Sequence, residues 1–259
     1  LAFLALEVAG VPQTQADLVP LLEGLHLVRL LPDERRLEAW HERLRATVTS
    51  GVDEARVRSV HERLAVLMGE RADADLDAVA FHFSAAGHGD RAAEATLKAA
   101  GRAREQLAFA RAASLYRRAL ELLPLDDRRR FELSVALAQC LANAGKGNDA
   151  AGAYASALRE PGVTPAVAGE LPRLAAEQLL VSGHVDEGLA AISNVLREMG
   201  MSLARTPARA VGALLFRRLH LTLRGLSFDE RPATQVDGVM LRRIDACWSV
   251  SVGLAMIDT

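Results

Sequence analysis

The stretch "AASLYRRALELLP", residues 112–124, decides the fold class of this 259-residue chain. Counted from Phe109, the residues of a buried type are offset by 0, 3, 4, 7, 10, 11 and 14, the spacing of an apolar stripe along one side of an α-helix. These residues are Phe109, Ala112, Ala113, Tyr116, Ala119, Leu120 and Leu123. The sequence predicts an amphipathic helix that ends at Pro124, because proline cannot continue a helix.

The same arrangement recurs at a fixed interval. Tyr154 follows Tyr116 after 38 residues, and Ile192 follows Tyr154 after another 38. Each has a small residue four positions before it, Ala112, Ala150 and Gly188, and a small or medium residue three positions after it, Ala119, Ala157 and Val195. We infer that small residues let two helices approach closely while one large side chain fills the gap between them.

Turn signals also recur along the chain. Gly87–Asp90, Gly145–Asn148 and Gly183–Asp186 all read Gly-x-x-Asp/Asn. We expect each glycine to adopt the left-handed conformation that ends one helix, and each Asp or Asn to cap the next helix. A fixed period that carries both a helix face and a turn is typical of an α-solenoid.

The order Ala, Tyr, Ala, Pro in residues 112–124 resembles the second helix of a tetratricopeptide repeat, although the period here is 38 residues instead of 34. Only 4% of the residues are aromatic, which favours helices packed through small residues over a β-sandwich. The predicted fold is all-α: an α-solenoid of tetratricopeptide-like helix pairs, preceded by a small winged-helix-like α+β unit.

That N-terminal unit is predicted from residues 1–50. "LAFLALEVAG" and "QADLVPLLEGL" are short helical patterns, "LHLVRLL", "PDER" and "RLEAWH" read as strand, turn and strand, and a helix begins near Glu42. A DNA-binding winged helix needs basic residues on its second helix. Here that helix has Asp17 and Glu23 but no Lys or Arg, so DNA binding by this unit is disfavoured.

A family resemblance covers nearly the whole chain. Residues from "LVRLL" through "HERLAVLMGE" to "ARAASLYRRALELLP" resemble the winged-helix-like and tetratricopeptide-like region that follows the nucleotide-binding core of bacterial STAND-class signalling ATPases. "MSLARTPARAVGALLFRRLHLTLRGLSF" and "LRRIDACWSVSVGLAMIDT" resemble the repeat region of multidomain serine/threonine protein kinases with an internal AAA-type ATPase module. The resemblance implies a parent protein that uses ATP and Mg.

Residue patterns that carry chemistry are weak in this chain. "HERL" occurs at 41–44 and 61–64, but the fifth positions, Arg45 and Ala65, do not complete the His-Glu-x-x-His zinc motif. His82 and His88 would share a metal only with further ligands. "AGKGND" lacks the loop length of a phosphate-binding P-loop, and kinase motifs are absent from the sequence. Lys146 and His184 fall at turns, where we expect them to be solvated. We predict no catalytic, cofactor-binding or metal-binding residue.

Charge and apolar runs limit the other function classes. Formal net charge is −2, so no overall field recruits nucleic acid or an anionic membrane. The 12-residue apolar run from Ala246 to Ile257 is too short to span a bilayer. Cys140 and Cys247 are expected as free, buried thiols in a reducing compartment. We expect a cytoplasmic location, no membrane and no direct nucleic-acid contact.

Five arginines and no acidic residue lie between Arg205 and Arg224. Thr206-Pro207 is a helix start, with threonine as N-cap and proline at the first helical position. Three interpretations compete: a membrane-surface helix, a site for an acidic partner, or a repeat helix with a solvated basic face. Few aromatic anchors and no lysine cluster argue against the membrane. The solvated face is the leading interpretation, and an acidic partner is the second.

We expect three regions: a winged-helix-like unit in 1–50, tetratricopeptide-like repeats in 51–200 and further helical repeats in 201–259. Both ends read as cuts within a longer protein, so self-association through them is expected. The leading function is a non-catalytic protein-interaction and regulatory module that contacts a protein partner or neighbouring domains of its parent. The alternatives are the repeat region of an ATPase-type transcription regulator, whose DNA-binding domain lies elsewhere, and an enzyme scaffold.

Overall fold

The computed structural model describes residues 18–31, 37–204, 206–225, 227, 230, 232 and 235–255. The chain divides into two compact units, Leu1–Leu125 and Asp126–Thr259. The described residues are mostly helical and include two short strands. The predicted all-α class is therefore confirmed.

The first unit begins with a helix, a hairpin and a second helix. Its described elements are α1 Leu18–Gly24, β1 Val28–Leu30, β2 Leu37–Ala39, α2 Glu42–Ser50, α3 Glu54–Gly69, α4 Leu76–Ala85, α5 Gly89–Glu105 and α6 Phe109–Leu122. The two strands pair antiparallel, with Val28 opposite Ala39. This confirms the predicted strand pair and the helix that begins near Glu42. The predicted helix in residues 1–10 and the turn at 32–36 lie outside the described residues.

Helix α1 is tied to the hairpin by its acidic residue. The Glu23 carboxylate accepts a hydrogen bond from the backbone N–H of Leu30 at 2.7 Å. This contact explains an acidic side chain on a helix that a DNA-binding unit would make basic. The winged-helix interpretation of this region stays a prediction.

Successive helices of the first unit pack against each other from α3 to α6. Small residues form the contact between α5 and α6: Ala92, Ala93, Ala99, Ala100 and Ala103 on α5, with Ala112, Ala113 and Ala119 on α6, are all buried. Tyr116 is 6% exposed. The predicted helix with small residues around a large one is confirmed to within one residue at its C-terminus. Leu115, which the predicted stripe leaves out, is buried as well.

The second unit repeats this packing. Its described elements are α7 Arg129–Asn143, α8 Gly147–Ala157, α9 Pro165–Ala168, α10 Leu171–Val181, α11 Val185–Glu198, α12 Pro207–Arg224 and α13 Gly238–Ala255. Helix α8 packs against α7 and α10, and α11 packs against α10. Tyr154 and Ile192 lie in hydrophobic clusters on α8 and α11. The positions predicted from the 38-residue interval are therefore buried in both repeats.

The turns that precede these three buried positions share one hydrogen-bond pattern. Leu107, Gly145 and Gly183, again 38 residues apart, all have positive φ, between 59° and 83°. The residue after each donates its backbone N–H to a carbonyl five positions earlier, at 2.8–2.9 Å: Ala108 to Ala103, Lys146 to Leu141 and His184 to Leu179. This is the Schellman arrangement that ends a helix.

The predicted left-handed glycines are confirmed, but the predicted caps are wrong. Gly87, in the turn from α4 to α5, has a positive φ of 84°, as Gly145 and Gly183 do in their turns. Asp90, Asn148 and Asp186 do not cap their helices, because the N-cap residues are His88, Lys146 and His184. The Schellman turn places its last residue at the N-cap of the next helix, which moves the acidic residue into the first turn.

Candidate protein-binding groove

An open groove runs across three helices of the second unit. It has a volume of about 440 Å³. Its floor is one side of α10, with Leu171, Pro172, Ala175 and Leu179. One wall is α8 and the other is α11, so each wall runs beside the helix that forms the floor. The groove therefore has the shape of a trough that a helix or an extended segment fits.

Small residues keep this groove open. The wall on α8 consists of Asn148, Ala151, Gly152, Ala155 and Leu158. A Cβ placed on Gly152 meets no atom within 4 Å, so the space beside this glycine is free. Missing side-chain volume on one wall leaves room for large side chains from another molecule.

The rim of the groove is polar and acidic on the α11 side. Ala191, Asn194, Val195 and Glu198 line this wall. Glu187 lies four residues before Ala191 and therefore on the same side of the helix. Glu187 and Glu198 are exposed, and neither forms an ion pair with a described residue. An apolar trough with unpaired carboxylates along one edge favours an apolar ligand that also carries positive charge.

Sequence reasoning missed this groove, because its residues come from three separate helices. The available signal was the run Ala151, Gly152 and Ala155, which places small residues on one side of α8. Ala112 and Ala113 are adjacent small residues of α6 and both are buried, whereas of the adjacent pair in α8 Ala151 is buried and Gly152 is exposed. Only the neighbouring helices decide whether a small residue is covered or open.

The glycines of "AGKGND", a segment too short to be a P-loop, have packing roles. Gly145 forms the turn after α7, and Gly147 lies against α10. A Cβ on Gly147 would come within 2.6 Å of both the Gln178 carbonyl oxygen and the Ser182 Cβ. Lys146 between them is exposed, as expected. "AGKGND" is therefore a tight turn between packed helices.

Histidines of the first unit form two separate pairs. His61 Nδ1 on α3 lies 2.7 Å from His82 Nδ1 on α4, and His88 Nε2 lies 3.2 Å from Glu62 Oε1. The structure thus pairs His82 with His61 and not with His88. Burial, and secondarily the charge of His61, lower the pKa of His82. His41 is exposed, and no three His, Cys, Asp or Glu side chains among the described residues gather as a metal site.

Both cysteines are free, as predicted, but the predicted burial holds only for Cys140, because Cys247 is exposed. His184 is half-buried, and its Nδ1 lies 3.1 Å from the Ser182 Oγ. The expectation that this histidine is solvated is therefore only partly met. The Ser182 hydroxyl also donates to the Gln178 carbonyl, so the imidazole is held at the end of α10.

The second unit contains a buried polar network that attaches α13. Arg173 on α10 pairs with Glu170 and Glu177 on its own helix at 2.9 and 3.2 Å. Ser249 on α13 is fully buried; its Oγ donates to Glu177 at 2.7 Å and accepts from Arg173 at 2.6 Å. Close packing adds to this attachment, because Leu180 on α10 leaves no room for a Cβ on Gly253 of α13.

The arginine-rich run forms α12, as its Thr206-Pro207 start predicts. The Thr206 side chain accepts a hydrogen bond from the backbone N–H of Arg209, and Gly225 ends the helix with φ of 77°. None of the 18 residues of α12 is buried. The solvated basic face of the leading interpretation is confirmed, but the apolar side chains are exposed too, so α12 does not pack as a repeat helix does. Arg205 lies outside the described residues.

Comparisons with known proteins returned no match. No family model matches the chain, and neither a curated protein nor a solved structure is similar to it. Among the described residues, no helix has the length and apolar character that crossing a membrane requires.

Proposed function

We propose that this chain is a non-catalytic protein-interaction module that binds a segment of a protein partner in the groove between α8, α10 and α11. The observation that carries the proposal is the groove itself, a mostly apolar trough of about 440 Å³ with the exposed Glu198 at one rim. Amphipathic helices bind in grooves of this kind through large apolar side chains spaced three or four residues apart.

The repeated helix pairs support a finer proposal about architecture. The buried positions Tyr116, Tyr154 and Ile192, and the Schellman turns before them, share the 38-residue interval. We propose that these pairs are tetratricopeptide-like units of an α-solenoid. Solenoids of helix pairs present long surfaces to partner segments.

The parent protein is proposed from the resemblance of the sequence alone. The chain would be the repeat region of a cytoplasmic bacterial STAND-class ATPase with a serine/threonine kinase domain, in which partner binding biases ATP-dependent kinase activity. ATP and Mg would bind elsewhere in that parent.

Peptide selection against the groove tests the proposed function. We expect peptides selected on the wild-type chain to combine a stripe of Leu or Phe with Arg or Lys, and to lose at least tenfold in affinity for Gly152→Trp, which fills the groove. The matched control is Gly101→Trp, a helical glycine of the first unit with equally open space. If the selected peptides bind Gly152→Trp as tightly as wild type, the groove is not the binding site and the proposal is wrong.

A further inference from the structure

Helix α12 exposes an unusual amount of apolar surface. Its seven large apolar side chains, Val211, Leu214, Leu215, Phe216, Leu219, Leu221 and Leu223, are each between 49% and 79% exposed. Soluble proteins rarely leave contiguous apolar surface of this size without a partner. The helix nevertheless has its own N-cap and its own glycine stop, so neighbouring helices are not needed to set its ends.

Three of the four described arginines of α12 lie away from the centre of this apolar surface. At roughly 100° per residue, Arg209, Arg217 and Arg224 fall within about 80° of the helix circumference, and the leucine stripe that includes Leu215 and Leu219 lies on the other side. These arginines, together with Arg218, form no ion pair with a described residue. Helix α12 therefore presents leucines flanked by unpaired positive charge.

The groove offers the complementary surface. Its α8 wall contains Ala151, Gly152 and Ala155, beside which leucine side chains fit. Its α11 wall ends in Glu198, with Glu187 on the same side of that helix, and neither glutamate forms an ion pair with a described residue. We propose that α12 of one copy of the chain binds in the groove of a second copy, so that two chains exchange helices and form a symmetric dimer. The proposal rests on the proposed function, since it names the partner segment that the groove binds.

The path of the chain after α11 argues for a second copy. Residues 201–204 lie beside Leu189, Ser193 and Arg197. At 100° per residue, that side of α11 points roughly 150° away from the side that lines the groove. The chain therefore leaves α11 on the far side, and its own α12 starts away from its own groove.

The distribution of side chains around α12 favours binding in a groove rather than on a membrane surface. Apolar side chains spread over roughly 220° of its circumference, and Arg218 lies within that arc. On a flat bilayer, only one side of the helix is covered and Arg218 would enter the apolar layer at a cost. A groove covers more of the circumference and gives Arg218 a carboxylate within reach at the rim.

Sedimentation equilibrium of the whole chain tests the dimer. We expect a mass twice that of one chain for the wild type, and a dissociation constant at least tenfold weaker for the helix variant Leu215→Glu/Leu219→Glu and for the groove variant Gly152→Trp. All these positions are exposed, so circular dichroism should show unchanged helix content. Gly101→Trp, the matched control, should keep the wild-type dissociation constant. A monomeric wild type, or a dimer that both variants leave intact, overturns the proposal.

Disulfide cross-linking identifies which copy supplies the helix. In a Cys247→Ser background, the double variant Gly152→Cys/Leu219→Cys should form a disulfide-linked dimer on mild oxidation. An internal cross-link within a monomer would show that α12 binds its own groove, and would overturn the exchange. A monomer that binds phosphatidylglycerol vesicles, and loses that binding in Leu215→Glu/Leu219→Glu, would assign α12 to a membrane instead and also overturn it.

Peptide selection on Leu215→Glu/Leu219→Glu separates the two proposals. This variant leaves the groove intact and disables α12. If the variant selects peptides that Gly152→Trp loses, the groove binds protein segments even where the dimer has failed. If it selects none, the proposed function fails as well.

Discussion

Helices α6 and α12 have similar sequences and opposite environments. Both carry arginines and apolar residues in an amphipathic pattern; α6 ends before Pro124 and α12 begins at Thr206-Pro207, as predicted. Yet α6 buries Ala112, Tyr116 and Ala119 against neighbouring helices, whereas α12 buries nothing. Helical periodicity is therefore enough to predict a helix and too little to predict whether it packs.

The difference lies in side-chain size. The buried residues of α6 include Ala112, Ala113 and Ala119 beside Tyr116, and the buried residues of α5 are alanines apart from Thr96. Along α12 most of the stripe is large, with Ala208 and Gly212 the small residues in it, and Arg218 interrupts it. Large residues on one helix need small ones on its partner. A high proportion of alanine in the stripe thus distinguishes the packed helix better than hydrophobicity does.

The largest expected effect comes from the closest helix contact. Gly147→Ala should destabilise the protein by about 3 kcal/mol, because the new Cβ would meet the backbone of Gln178, which cannot move independently of α10. Gly212→Ala on α12, where the space is open, should stabilise by about 0.5–1 kcal/mol through helix propensity. Urea denaturation followed by circular dichroism gives both values. If Gly147→Ala and Gly212→Ala had equal urea midpoints, the distinction between packed and unpacked helices would be contradicted.

Enlarging the small residues of α6 is the next test. Ala112→Leu and Ala119→Leu should each cost about 1–3 kcal/mol, because both alanines are fully buried and the extra methylenes overpack the contact. Ala213→Leu, at an exposed position of α12, should stay within about 0.5 kcal/mol of wild type, as should Arg117→Ala on the exposed side of α6. Thermal unfolding in parallel measures all four. A neutral Ala119→Leu would show that α6 does not pack through its small residues.

Exchanging leucine and glycine between the equivalent turns at 107 and 145 should change the free energy of unfolding by about 1 kcal/mol, with opposite signs. Leu107 is 72% exposed with φ of 59°, so Leu107→Gly removes backbone strain with little loss of packing and should stabilise. Gly145→Leu introduces the same strain at φ of 73° and should destabilise. Free energies of unfolding from urea titrations test the pair. If both changes destabilise, the leucine at 107 has a contact role beyond the turn.

The smallest expected effect is a pH dependence of the unfolding free energy that arises from His82, in the contact between α3 and α4. Because the pKa of His82 is lowered in the folded state, its neutral form is favoured there. The associated stability is complete above the ordinary histidine pKa of about 6.5 and is lost as pH falls through the lower, folded value. Nearby Glu62, His88 and Arg91 pair among themselves. The slope of the unfolding free energy measured across pH 5–7.5 should be smaller in His82→Gln than in the wild type.

The sequence predicted what depends on local spacing. Periodicity located α6 to within a residue, and the 38-residue interval placed Tyr154 and Ile192 in buried positions. It could not place the turn before α6, because Leu107 adopts a conformation that glycine usually marks. The groove and the exposure of α12 could not be predicted from the sequence either, since both depend on which helices become neighbours. The tetratricopeptide-like solenoid remains a prediction from the interval.

The attachment of α13 has a consequence for synthesis. Ser249 joins a network whose other members, Arg173 and Glu177, precede it by 76 and 72 residues. At about 5–20 residues per second, a ribosome needs roughly 4–15 seconds to add that stretch. During this delay Arg173 is already neutralised by Glu170 and Glu177 of its own helix. The nascent α10 can therefore fold against α8 and α11 with the charge of Arg173 already paired. When α13 is synthesised, Ser249 joins this existing network.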